Sequence, residues 1–87
     1  MLAEFMNQKI VVDLRSTYVC IGTLAAWDDA FLELRDADFH DLRDTETSRE
    51  NYIAESVATG IKRNRKRVVL FRTEVVAVSR LADVVDG

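Results

Sequence analysis

The side chains able to do covalent or metal chemistry are few and lie apart in the chain. Cys20 and His40 are the single cysteine and the single histidine. A nucleophilic cysteine needs a neighbouring base to hold its thiolate. Cys20 instead lies between apolar Val19 and Ile21, where a small buried hydrophobe is the expected role. Asp36, Asp38 and His40 alternate, so on a strand they share one face, and Asp41 and Asp44 follow. Two carboxylates and an imidazole are ligands for a divalent cation, and a metal-dependent enzyme is one reading of them. With no further His or Cys nearby, a solvated acidic surface is the preferred reading, with no metal and no cofactor. No G-x-S-x-G, P-loop, H-E-x-x-H or C-x-x-C occurs. The expectation is a protein that is not an enzyme.

Charge points to binding instead. Residues 28–50 hold nine acids and three arginines, whereas residues 62–72 hold six bases and no acid. The net charge of −3 hides this separation. Arg63, Arg65, Lys66 and Arg67 form a basic patch that can contact a nucleic-acid backbone without sequence preference. The alternative is a charged loop that keeps a strand end soluble, or one that pairs with residues 36–46 of a neighbour.

These groups need elements to hold them. Residues 2–7 read as a short helix, with Leu2, Phe5 and Met6 at helical spacing. Residues 9–14 and 18–27 read as strands, and Gly22 inside the second marks a bulge or sharp bend. Residues 31–38 alternate, with Leu32 and Leu34 opposed to Glu33 and Arg35. The period then switches. Thr47-Ser-Arg-Glu50 fits a capping box, Tyr52, Ile53 and Val57 make an apolar stripe, and Gly60 fits a left-handed helix end. A helix near residues 48–59 follows. Residues 65–72 and 75–79 read as two more strands, joined by a tight turn at Thr73-Glu74, and the last residues form a short cap or tail.

Length sets the frame. With 87 residues the chain is expected to be one domain, and without proline it has no Pro-rich linker. One cysteine excludes an internal disulfide and points to a reducing, cytoplasmic compartment. No apolar run is long enough to span a membrane. Val68–Phe71 and Val75–Val78 are apolar at consecutive positions, as in strands buried on both faces. So small a chain can bury one face by itself. The other face, or the strand edge, calls for the inserted helix or a neighbouring subunit. Trp27 reads as a core or interface anchor, with the lining of a pore or groove as the alternative.

Two stretches resemble the Sm-like superfamily, which includes the Sm and LSm proteins and Hfq. Gly22-x-Leu24-x-x-Trp27-Asp28, followed by Phe31-Leu32-x-Leu34-x-Asp36, is similar to the first Sm motif. There a glycine bends strand 2 and an aromatic-Asp pair leads into the next loop. Val69-Leu70-Phe71-Arg72-Thr73-Glu74-Val75-Val76 is similar to the second motif, with a turn after Arg72 closer to the Hfq type. The resemblance implies a mostly β fold. It is a small, strongly bent five-stranded antiparallel barrel with an N-terminal helix, the helix near 48–59 lying in an enlarged loop between strands 3 and 4.

It also implies a homo-oligomeric ring. Strand 4 of one protomer pairs with strand 5 of the next, through Val68, Val69, Leu70, Phe71, Val75, Val76 and Val78. It implies single-stranded RNA as a partner, held at Asp28, Asp29, Phe31, Arg72 and Thr73. Phe31 would stack on a base, and Arg72 would cap the base or bind phosphate. The family's Asn is absent from this loop, and Asp28 is expected to orient Arg72. The function implied is RNA binding or ribonucleoprotein assembly. The alternative is a structural or protein-interaction ring whose RNA pocket has degenerated.

Overall fold

The computed structural model describes residues 1–85. Five strands, β1 (Lys9–Leu14), β2 (Tyr18–Trp27), β3 (Phe31–Asp41), β4 (Arg65–Phe71) and β5 (Val75–Arg80), form one sheet in the order β4-β3-β2-β1-β5. Every pairing is antiparallel. The sheet bends without closing, so among the described residues β4 and β5 are its two edges. The expected strongly bent, five-stranded antiparallel fold is present, its sheet bent but not closed.

The bend has a local cause. Ile21 faces Asp38 and Thr23 faces Arg35, so β3 carries one residue more than β2 at that point. The extra residue is accommodated by Asp36, whose φ of +50° lies in the left-handed region. Ala37 is thereby pressed onto β2 opposite Gly22. A Cβ built on Gly22 would sit 2.8 Å from the Ala37 Cβ. Glycine is required there because β3 occupies the space that a side chain would fill.

The sheet buries both faces in its middle. Ile10, Val12, Cys20, Leu24, Leu32, Leu34 and Leu70 fill the concave side. Val11, Val19 and Ile21 face the other way, onto Ile53 and Leu81. Consecutive apolar residues in β1 and β2 are thus explained by burial on two sides. The helix, α1 (Arg49–Thr59), covers the backs of β1 and β2. It leaves β4 and β5 uncovered. Val76 is 65% exposed and Phe71 is 62% exposed. Leu70, in contrast, points into the core of its own chain.

Helix α1 starts one residue later than the capping box predicts. Ser48, not Thr47, is the N-cap, and its Oγ accepts the Asn51 N–H at 3.2 Å. Glu50 lies in the first turn, where a carboxylate favours the exposed amide dipoles. Arg49 pins this end to the sheet by donating to Asp13 at 3.2 Å and to the Tyr18 carbonyl at 3.4 Å. Gly60 ends the helix at φ +91°, and its N–H donates to the Ser56 carbonyl. The N-terminal element is a 3₁₀ turn, Leu2–Phe5, shorter than the helix expected over 2–7. Its Leu2 and Phe5, with Met6, pack on the concave core.

Strand β3 runs to Asp41, beyond the alternation that ends near residue 38. The connection to β4 is therefore residues 42–64. The link from β4 to β5 is a single 3₁₀ turn, Arg72–Glu74, which places the two edge strands one after the other in the chain but at opposite sides of the sheet.

Candidate nucleic-acid interface

The β2–β3 loop is closed by one carboxylate. Asp28 Oδ1 accepts the N–H groups of Ala30 and Phe31, each at 2.8 Å. These two donors hold the Asp28 carboxyl below its ordinary range, with a smaller contribution from Arg72. The Arg72 guanidinium donates to the Asp28 carbonyl at 2.6 Å, and the Arg72 N–H donates to the Ala30 carbonyl at 2.9 Å. The two loops are thus docked together. Asp28 does orient Arg72, but through its carbonyl; its carboxylate shapes the turn.

Register then sets the aromatic residue. Phe31 faces Phe71 across β3 and β4, with ring centroids 5.4 Å apart and planes tilted by 48°. Phe31 is 39% exposed, so the pair offers π faces to solvent beside a guanidinium. Asp29 and Thr73 lie at the exposed tips of the same two loops. The structure brings together Asp28, Phe31 and Arg72 and adds Phe71, which the sequence reading assigned to the subunit interface. The signal for Phe71 was available: it directly precedes Arg72 in a strand that pairs with Phe31. An open cleft of about 220 Å³ continues this surface over Trp27, Phe31, Glu33, Arg67 and Val69. Trp27 is a wall of that cleft and not a core anchor.

The basic patch is dispersed by pairing within the chain. Arg67 donates to Glu33 at 2.6 Å, Arg63 to Asp36 at 3.3 Å, and Lys62 to Glu55 at 3.3 Å. Of the acidic segment 36–46, Asp36 thus pairs with a base of its own chain. Among the described residues, Arg65 and Lys66 keep no carboxylate partner.

Asp36, Asp38 and His40 do not share a face, because the bulge at Asp36 breaks the alternation. Asp36 is exposed, and Asp38 is buried. Asp38 accepts from the Tyr52 hydroxyl and from Asn64 Nδ2. His40 stacks on the Tyr52 ring at 4.3 Å. Among the described residues no group of three or more His, Cys, Asp or Glu side chains is placed to hold a metal. Burial pushes the Cys20 thiol up to about 12, with help from the Asp38 charge, so it stays a protonated core residue.

The Tyr52–Asp38 bond ties α1 to β3. Burial and the Asp38 carboxylate push the Tyr52 phenol well above its ordinary range. Tyr52→Phe leaves a buried carboxylate short of one donor and is expected to lower stability by about 1–3 kcal/mol in urea denaturation. An unchanged midpoint would show that the bond carries no net stability.

No family model and no curated protein matches this chain in sequence. Solved structures do match. The Sm protein of Pyrococcus abyssii, solved in complex with a uridine heptamer, aligns over 91% of this chain and 90% of its own, with 16% identity and a TM-score of 0.63. A heptameric archaeal Sm protein aligns over 91% of this chain and 93% of its own, with 20% identity and a TM-score of 0.60. Among the described residues no helix is long and apolar enough to cross a membrane. Five antiparallel strands bent at a glycine, two docked loops and these likenesses together identify the fold of the chain as the Sm-like fold.

Proposed function

We propose that the chain forms a homo-oligomeric ring that binds single-stranded RNA, as one Sm-like domain acting without catalysis in a reducing, cytoplasmic compartment. The observation that carries this reading is the solvent-facing Phe31–Phe71 pair beside Arg72, in a fold whose solved neighbours include an RNA-bound Sm protein and a heptameric one. Phe31 and Phe71 supply stacking surfaces, and Arg72 supplies a cation held in place by Asp28. Each protomer offers one weak site, and a ring repeats it, so avidity supplies the affinity. The same platform would serve ribonucleoprotein assembly.

Ring closure uses the two sheet edges. Val68 and Val69 on β4 would meet Val75, Val76 and Val78 on β5 of the next protomer, leaving Phe71 at the end of β4 to the RNA site. An apolar groove of about 390 Å³, walled by Leu14, Tyr18, Phe39, Val68 and Leu70, opens beside β4 and supports this use. The second reading is a ring that binds protein only, favoured by the acidic Asp28 and Asp29 at the loop and by the absent Asn.

Uridine heptamer binding, followed by fluorescence anisotropy, separates the two. Phe31→Ala is expected to weaken binding about 5- to 150-fold, since a stacked base contributes about 1–3 kcal/mol. Arg72→Ala is expected to weaken it about tenfold and to lessen its salt dependence. No binding at low salt would leave the protein-interaction ring.

A further inference from the structure

We propose that the concavity at the start of β4, formed by Arg63, Asn64, Arg65 and Lys66 against Asp36, is a second contact site that takes the phosphate backbone of RNA without reading its bases. The concavity measures about 430 Å³. It holds three cations and one carboxylate, and that carboxylate faces Arg63. Arg65 and Lys66 are exposed and, among the described residues, lack an acidic partner. Their charge is therefore available to an anion.

What distinguishes this site from a solvated basic run is the way its backbone is held. The Asn64 N–H donates to the Ala37 carbonyl at 2.9 Å. Its side-chain Oδ1 accepts the Phe39 N–H at 2.9 Å. Its Nδ2 donates to the Phe39 carbonyl at 3.0 Å and to buried Asp38 at 3.2 Å. Four bonds thus clamp the residue between Arg63 and Arg65 onto β3. The Arg65 guanidinium donates to the Asn64 carbonyl at 3.0 Å, which holds it beside the clamp. Asn64 is a positioning residue: it presents the flanking cations from a fixed loop and need not touch the ligand. Preorganised charges lose less freedom on binding an anion than charges on a loose loop.

No aromatic side chain lines the concavity, so a base has nothing to stack on. That chemistry fits a phosphate chain and not a nucleotide pocket. Arg65 and Phe71 bound the seven residues of β4. At about 3.3 Å per residue they stand roughly 20 Å apart, so one nucleotide cannot reach both ends of the strand. The assignment of RNA as the ligand rests on the proposed function; the binding of a phosphate chain does not.

Inorganic polyphosphate, which has charge but no bases, is the direct probe. Titrated into the full chain and followed calorimetrically, it is expected to bind the wild type and Phe31→Ala equally. Binding is expected to be at least tenfold weaker in Arg65→Ala/Lys66→Ala and retained in the charge-conserving Arg65→Lys/Lys66→Arg. For a single-stranded RNA of about twenty nucleotides, Arg65→Ala/Lys66→Ala should flatten the slope of log K against log salt by roughly 1.4, two phosphate contacts at about 0.7 each. Equal polyphosphate binding by Arg65→Ala/Lys66→Ala, or none by the wild type, would overturn the proposal. A Phe31→Ala variant that binds uridine heptamer normally would instead overturn the base pocket and leave this site standing.

Discussion

Replacing Val76 with aspartate is expected to reduce an assembly of several times 9.9 kDa to the single chain. Val76 lies on edge strand β5, is 65% exposed and belongs to neither core cluster of its own protomer. The variant should therefore fold as well as the wild type. In a ring built on the edges of β4 and β5, the residue enters an apolar interface once per subunit. An unpaired carboxylate there costs several kcal/mol at every interface. A closed ring repeats that cost around its circumference, so no partial assembly escapes it. Gel filtration with light scattering reads the mass directly. A monomeric wild type, or a Val76→Asp protein of unchanged mass, would remove the ring from the proposed function.

The second large effect concerns the bend. Gly22→Val is expected to destabilise the fold by about 3 kcal/mol or more, at the upper end of the range for overpacked cores. The new Cβ would stand 2.8 Å from the Ala37 Cβ, 3.0 Å from the Ala37 Cα and 3.2 Å from the Arg35 carbonyl. Two of these neighbours are backbone, and the backbone cannot retreat freely. Ala37 sits in the bulge beside Asp36, and its carbonyl is held by the Asn64 N–H. For a domain of this size, a loss of 3 kcal/mol corresponds to a fall in Tm of roughly 12–24 °C. The clash can be separated from a loss of glycine flexibility, because Gly22 does not have a positive φ. Ala37→Gly in a Gly22→Ala background should recover part of the loss by removing the opposing methyl. A Gly22→Val protein that melts within about 2 °C of the wild type would refute the close approach.

Both effects trace to features visible in the sequence, but to different depths. The alternation of Phe31–Leu34, the β-branched run of β1 and the glycine inside β2 are local patterns. They locate strands because each residue's own backbone preference and the two-residue period act over a few positions. The same holds for α1, whose stripe and terminal glycine set its limits to within a residue. The motif around Trp27-Asp28 and Phe71-Arg72 likewise pointed to two loops, and the structure docks those loops through Arg72.

Other features had no local signal. One added residue in β3 leaves Asp36 exposed and separates it from Asp38 and His40, which both meet Tyr52 of α1, so the apparent Asp-x-Asp-x-His face does not form. Asn64 has no local signal for its role, because its four bonds run to Ala37, Asp38 and Phe39 of β3. The partners of Arg63 and Arg67 proved to be Asp36 and Glu33 of the same chain.

By itself the sequence determined where this chain extends, turns and coils, and which residues carry charge or an aromatic ring. Only the tertiary structure decided which charges are neutralised and which aromatic rings meet. It also decided which apolar residues of β4 and β5 remain uncovered. The reason is physical: a strand's period is a property of neighbouring residues, whereas register and ion pairing are set by segments as far apart in the chain as β1 and β5, and a shift of one residue exchanges the two faces of a strand.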